Sequence, residues 1–183
     1  MIKEIFFTEK YENIYNHCNK IKSLIKDVNK IGWYKKYILD NNYITILSEK
    51  EYIRYDNICD FSKEVLDILC TFNEFNKKYV NDINEISIEF HYANSEKNYP
   101  SYPWTVIHCD NDNFGINKVI TIIFYFDVNC EEGELCFYED DKIVEKINVK
   151  DKILIFYGDI LHNPEEMKNG NRYCISFQIK YFE

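Results

Sequence analysis

The stretch that decides the fold is Val119-Ile-Thr-Ile-Ile-Phe-Tyr-Phe126. All but Thr121 are apolar, and most are β-branched or aromatic. A short run of this kind without alternation reads as a strand covered on both faces. Moving outward, Leu135–Tyr138 follows the turn Glu131-Glu132-Gly133, and Ile143–Val149, Ile153–Tyr157 and Tyr173–Phe182 repeat the pattern of short apolar runs between turn residues. Upstream, Ile86–Tyr92 alternates apolar and polar, and Trp104–Ile107 follows a loop holding Pro100 and Pro103. About seven short strands from residue 85 onward predict a sandwich or jelly roll.

Residues 1 to about 80 have a different texture. Tyr11–Ile25 spaces Ile14, Cys18, Ile21, Leu24 and Ile25 by threes and fours, the period of an amphipathic helix. Asp60–Tyr79 does the same with Phe61, Val65, Leu66, Leu69, Phe72 and Phe75. Asp60 is read as its N-cap, with Glu64 in the first turn. Tyr43–Leu47 is read as a short strand between these helices. The expectation is one α+β domain over residues 1–183, with a helical support region (1–80) packed on one sheet of a jelly-roll core (85–183).

At 183 residues the chain suits a single domain, and 46% hydrophobic with 29% charged residues is globular composition. A net charge of −9 argues against nucleic acid as a partner, since affinity for phosphate backbones rests on clustered Lys and Arg. No apolar run reaches the roughly 18 residues of a membrane span, so no membrane association is expected. MIKEIFFTEKYE at the start lacks an apolar signal region. The seven cysteines are odd in number and include no CxxC, which fits buried thiols in a reducing, cytoplasmic compartment. Of 22 basic residues only Arg54 and Arg172 are arginine, so each invites a specific explanation.

The chemistry-bearing pattern is His108-Cys109-Asp110, His162 and Arg172. In extended chain residues i and i+2 point the same way, so His108 and Asp110 face one spot while Cys109 points away. His162 lies beyond the strand Ile153–Tyr157. Two histidines and a carboxylate are the donor set of a facial triad, which suits Fe(II) and leaves coordination positions open. Ten residues past His162, Arg172 is read as opening the last strand, where its planar fork can grip a carboxylate. Any one of these features is common by chance; their conjunction is not. His91 is read as a surface or structural histidine.

The segment from His108 to Phe182 resembles the catalytic core of the Fe(II)- and 2-oxoglutarate-dependent dioxygenases, and within them the prolyl 4-hydroxylase-like branch. HCD (108–110), TIIFYFD (121–127), EGELCFY (132–138), DKILIFYGDILH (151–162) and NRYCISFQIKYF (171–182) carry the resemblance, which extends weakly to ISIEFHY (86–92). The spacing of ten from His162 to Arg172 fits that branch. Cys174 stands where the plant-type small-molecule branch carries the serine of Arg-x-Ser. The resemblance implies a double-stranded β-helix in which His108, Asp110 and His162 bind Fe(II) and Arg172 pairs with the distal carboxylate of 2-oxoglutarate. Tyr125 would assist that carboxylate, and Tyr92 is a second candidate for the co-substrate pocket; for both tyrosines, core packing is the other reading. The implied reaction is hydroxylation of an unactivated C–H bond by O₂, with decarboxylation of 2-oxoglutarate to succinate. The implied substrate is a prolyl or other residue of a protein or peptide, with the loop 93–103 as a candidate cover. Two alternatives stand beside it: the same chemistry on a free amino acid or small metabolite, and a non-catalytic jelly-roll binding module.

Overall fold

The structure, a computed structural model, describes residues 2–24, 44–47, 52–55, 58–70, 83–94, 106–113 and 118–181. Its centre is the run read above as a doubly covered strand. This is β5, Lys118–Glu132, of which 119–126 are all buried. It pairs antiparallel with β8 (Lys152–Tyr157) on one side and β10 (Met167–Tyr181) on the other. β1 (Ile2–Phe6) extends the sheet beyond β8, and β4 (Ile83–Asn94) borders β10, giving the order β1-β8-β5-β10-β4. A second sheet has the order β7-β6-β9, from β6 (Leu135–Glu139), β7 (Lys142–Ile147) and β9 (Leu161–Pro164). β2 (Ile44–Leu47) and β3 (Tyr52–Tyr55) form a separate antiparallel hairpin. Two antiparallel sheets with helices on the outer face of one are the expected double-stranded β-helix.

The lack of alternation in β5 follows from two cores. Ile120, Ile122, Phe124 and Phe126 join Ile14, Cys18 and Ile21 of α1 (Glu12–Leu24) and Phe61, Val65 and Leu69 of α2 (Ile58–Leu69). Phe61 meets Phe177 of β10 edge-on, with ring centroids 4.9 Å apart, and burying each such ring contributes about 2–3 kcal/mol. On the other face, Ile123 and Tyr125 pack with Leu135, Phe137, Leu154 and Phe156 between the sheets. A bulge adjusts this division: Tyr125 pairs with Cys174 and Asp127 with Tyr173, leaving Phe126 as the extra residue. Asp127 thereby meets Lys22 of α1, whose ammonium also sits 4.2 Å from the Tyr173 ring centroid.

Several expectations need correction. The first 80 residues are not only helical: β1 belongs to the main sheet, pairing Ile2 with Phe156 through Phe6 with Lys152. Its charged Lys3 and Glu4 suit an edge strand and obscured it. β3 was also not anticipated. The second helix starts at Ile58, so Asp60 lies in the first turn, where its charge complements the helix dipole, and is not the cap. Leu24 is 38% exposed. Ile25, Phe72 and Phe75 lie outside the described residues, as does most of the loop 93–103. Val106 and Ile107 are exposed and not in a strand, and His108 makes only an isolated bridge. The last strand begins at Met167, so Arg172 lies within it. His162 stands in a strand of its own, β9. No helix among the described residues is long and apolar enough to cross a membrane. Cys18, Cys136 and Cys174 are buried, Cys70, Cys109 and Cys130 half-buried, and all six are free thiols.

Candidate active site

The space between the sheets is not filled throughout. A cavity of about 230 Å³ opens on the inner face of β10, β5 and β4. His108, Asp110, His162, Arg172 and Tyr125 all line it.

His108 and His162 come together through the main chain. Their backbones exchange two hydrogen bonds, His108 N–H to His162 O at 3.1 Å and His162 N–H to His108 O at 2.9 Å. The rings lie 4.5 Å apart, centroid to centroid. Each ring is then turned by the same local device. His108 Nδ1 is 2.9 Å from the Val106 carbonyl, and His162 Nδ1 is 2.9 Å from the Ile160 carbonyl. A carbonyl only accepts, so both Nδ1 atoms carry a proton, and in the metal-binding form of the rings both Nε2 atoms present lone pairs. Burial pulls the His162 imidazole below its ordinary pKa, against the opposing charge of Asp110.

Both lone pairs face Asp110. His108 Nε2 is 3.9 Å from Asp110 Oδ1, and His162 Nε2 is 3.9 Å from Asp110 Oδ2. One ligand atom from each of the three residues lies within 4.8 Å of the others. Asp110 is 2% exposed, and both its oxygens are held from behind: Gln178 Nε2 donates to Oδ1 at 2.8 Å and Thr121 Oγ1 donates to Oδ2. The centre of the triad thus holds acceptors only, turned toward one another without a donor between them. Such an arrangement repels itself unless a cation sits in the middle. The donor set, two imidazole nitrogens and a carboxylate, fits Fe(II) with open positions on one side.

Arg172 supplies the opposite demand. It is 8% exposed, and its Nη1 donates to the Gly133 carbonyl. No carboxylate among the described residues pairs with it. A buried guanidinium without a counter-charge calls for an anion. Gly133, at φ +84°, makes room for it: a Cβ there would lie 2.6 Å from Met167 Cγ and 3.2 Å from Arg172 Nη1. Tyr125, fully buried beside Cys174 and Arg172, has its phenol pKa raised by burial and then by Cys174, so it stays an O–H donor. Tyr92 is placed differently. Although it borders the cavity, its ring stacks on Tyr173 at 4.5 Å in the helix-side core, and its hydroxyl donates to Asn171 Oδ1 at 3.0 Å. Its ring thus packs in the core while the residue still borders the cavity that holds Arg172.

No protein-family model matches the sequence, and no curated protein is similar to it. Solved structures are. IDO from Bacillus thuringiensis is 15% identical over 100% of this chain and 91% of its own, with a TM-score of 0.61. An oxidoreductase of the 2OG-Fe(II) oxygenase family from Burkholderia pseudomallei is 10% identical over 89% and 77%, with a TM-score of 0.57. A prolyl hydroxylase from Trichoplax adhaerens, in complex with a hypoxia inducible factor oxygen degradation domain peptide fragment, is 16% identical over 98% and 83%, with a TM-score of 0.56. The chain has the fold of the 2OG-Fe(II) oxygenases.

Within this oxygenase fold, sequence reading missed part of the cavity wall. Gln178 and Thr121 carry no motif, although strand alternation puts Gln178 on the same face as Arg172. Glu89 and His91 of β4 also line the cavity, His91 being half-buried and bonded to Ser176, not a surface residue. Their alternation within ISIEFHY was the available signal.

Proposed function

We propose that this protein is an Fe(II)- and 2-oxoglutarate-dependent hydroxylase. One observation carries the reading: a single cavity holds three converging acceptors that need a cation and a buried guanidinium that needs an anion. His108, Asp110 and His162 would hold the iron. Arg172 would take the distal carboxylate of 2-oxoglutarate through its free guanidinium nitrogens, with Tyr125 as a neighbouring O–H donor. When bound, iron, 2-oxoglutarate and O₂ together supply the oxidation: one oxygen atom enters the substrate C–H bond, the other enters succinate, and CO₂ leaves.

The chain's own residues supply position and environment. The paired backbones of His108 and His162 fix two ligands across the mouth of the small sheet. Gln178 and Thr121 keep the Asp110 carboxylate from rotating. Leu135 and Ile123 give the cavity an apolar wall, against which its charges act more strongly than in bulk water. No acid or base is required of Arg172; it orients a co-substrate.

For the substrate, the peptide-bound Trichoplax neighbour favours a prolyl residue of a protein or peptide. Incubation with Fe(II), 2-oxoglutarate and candidate peptides should release succinate in proportion to product that has gained the mass of one oxygen. Succinate release absent under all conditions, or undiminished in His162→Ala, overturns the reading.

A further inference from the structure

The cavity has a third charged wall, which the proposed iron and co-substrate do not use. On the inner face of β10 the side chains run Arg172, Cys174, Ser176, Gln178, from the anion-seeking end to the residue that clamps Asp110. Beside the middle of this row, on the edge strand β4, Glu89 pairs in register with Ser176 and His91 with Cys174. Glu89 Oε2 is 3.2 Å from His91 Nε2, and the same nitrogen is 3.2 Å from Ser176 Oγ. One ring nitrogen is therefore shared between two neighbours. The other Glu89 oxygen has no partner among the described residues, although the side chain is only 20% exposed.

A carboxylate so placed is unfavourable in a site that must also accept a dicarboxylate. The formal charges of Fe(II), Asp110, 2-oxoglutarate and Arg172 cancel, which leaves Glu89 as the negative charge of the loaded cavity. Like-charge repulsion between Glu89 and the co-substrate costs binding energy unless a third component brings a positive charge. That component is the substrate.

We propose that Glu89, oriented by His91, is the specificity-determining anion of the substrate subsite, and that the substrate presents a protonated amine to it. This rests on the oxygenase reading and narrows it. The ammonium has two possible sources, a free amino acid or N-terminal residue, and the side chain of a basic residue in a peptide. Ser176 and His91 complete the receptor with hydrogen-bonding groups, and the ammonium supplies the donors that the open Glu89 oxygen lacks.

The test is 2-oxoglutarate-dependent succinate release by the Fe(II)-loaded protein with matched pairs of substrates. One arm compares free proline, leucine and lysine with their N-acetylated forms. The other compares N-acetylated proline-containing peptides bearing lysine with the same peptides bearing norleucine. The expected result is at least ~10-fold higher kcat/KM for the charged member in one arm, and that arm identifies the source. The preference should collapse in Glu89→Gln and keep its sign in Glu89→Asp. The wild-type comparison stands alone should either variant fail to fold. Equal use of charged and neutral members, or a preference that survives Glu89→Gln, overturns the inference while leaving the oxygenase reading in place. A wild-type protein that binds Mn(II) yet yields no succinate in any arm overturns the oxygenase reading itself, and this inference with it.

Discussion

The main chains of His108 and His162 hold one another, each N–H donating to the other's carbonyl. Residues far apart in sequence become a hydrogen-bonded antiparallel pair, and their rings emerge side by side. This pairing needs no imidazole. His108→Ala and His162→Ala should therefore keep the fold while losing the centre. The expected outcome is a fall of roughly 100-fold or more in Mn(II) affinity, with unchanged circular dichroism. Titration followed by electron paramagnetic resonance checks it; wild-type affinity in either variant would mean the ion binds elsewhere.

The carboxylate depends on its supports in the same way. Gln178 and Thr121 are 4% and 1% exposed, and each donates to a different oxygen of Asp110. Gln178→Leu removes the donor to Oδ1 and frees the carboxylate to rotate. Mn(II) affinity should drop about 10–100-fold, the usual effect of losing an outer-shell partner of a metal ligand. Thr121→Ser, which keeps the hydroxyl, should fall by far less than Thr121→Val in the same Mn(II) titration.

Arg172→Lys puts a point charge in place of a fork and gives up the bond to the Gly133 carbonyl. The apparent KM for 2-oxoglutarate should rise about 10–100-fold, with a smaller change in kcat, because the interaction lost is mainly one of binding. Kinetics matching the wild type would remove Arg172 from the co-substrate site.

Much of this was legible in the sequence, and what was not has physical causes. The run 119–126 announced a strand buried on both faces because two cores flank it. HCD, His162 and Arg172 stood out as a candidate set because their residue types are costly to bury without a purpose, and the structure brings them to one cavity. The strand around Arg172 was read as beginning too late because Met167–Asn171 looks like a turn; its pairing with β5 is broken by a register shift between Lys168 and Gly170. β1 stayed hidden because an edge strand buries only one side of itself. Tyr125 and Tyr92 were indistinguishable by composition, and only the face of the sheet separates them. Gln178, Thr121 and Glu89 belong to residue types that serve anywhere, so only their convergence on one cavity gives them meaning.

The cysteines differ in their chemistry. Burial pushes the Cys174 thiol up to about 12, with Arg172 opposing the shift. At pH 8 it should resist alkylation in the native protein, while the half-buried Cys70, Cys109 and Cys130 react before it; peptide mapping after iodoacetamide reads the order. The raised value also sets a sign for stability. Between the ordinary thiol pKa, near 9, and about 12, the unfolded chain loses a proton that the folded one keeps, so stability falls as pH rises through that window. Cys174→Ala should flatten this alkaline decline in thermal midpoint, and an unchanged slope would count against a buried neutral thiol.

Gly170 is where the backbone tolerates no side chain. Its φ is +100°, and a Cβ there would lie 1.7 Å from the Asn129 carbonyl oxygen. The contact is with main chain, so no rotamer change relieves it, and the strand must move at the register shift two residues before Arg172. Gly170→Ala should cost about 2–4 kcal/mol, lowering the thermal midpoint by roughly 5–15 °C. Its neighbour provides the control. Asn169 also has a positive φ, of +53°, but asparagine tolerates that region, and Asn169→Gly relieves what little strain remains. That variant should stay within about 0.5 kcal/mol of the wild type. Scanning calorimetry on the pair separates close approach from left-handed geometry: equal losses would point to general fragility of the segment, and a silent Gly170→Ala would mean that β5 and β10 do not meet as closely here as the structure has them.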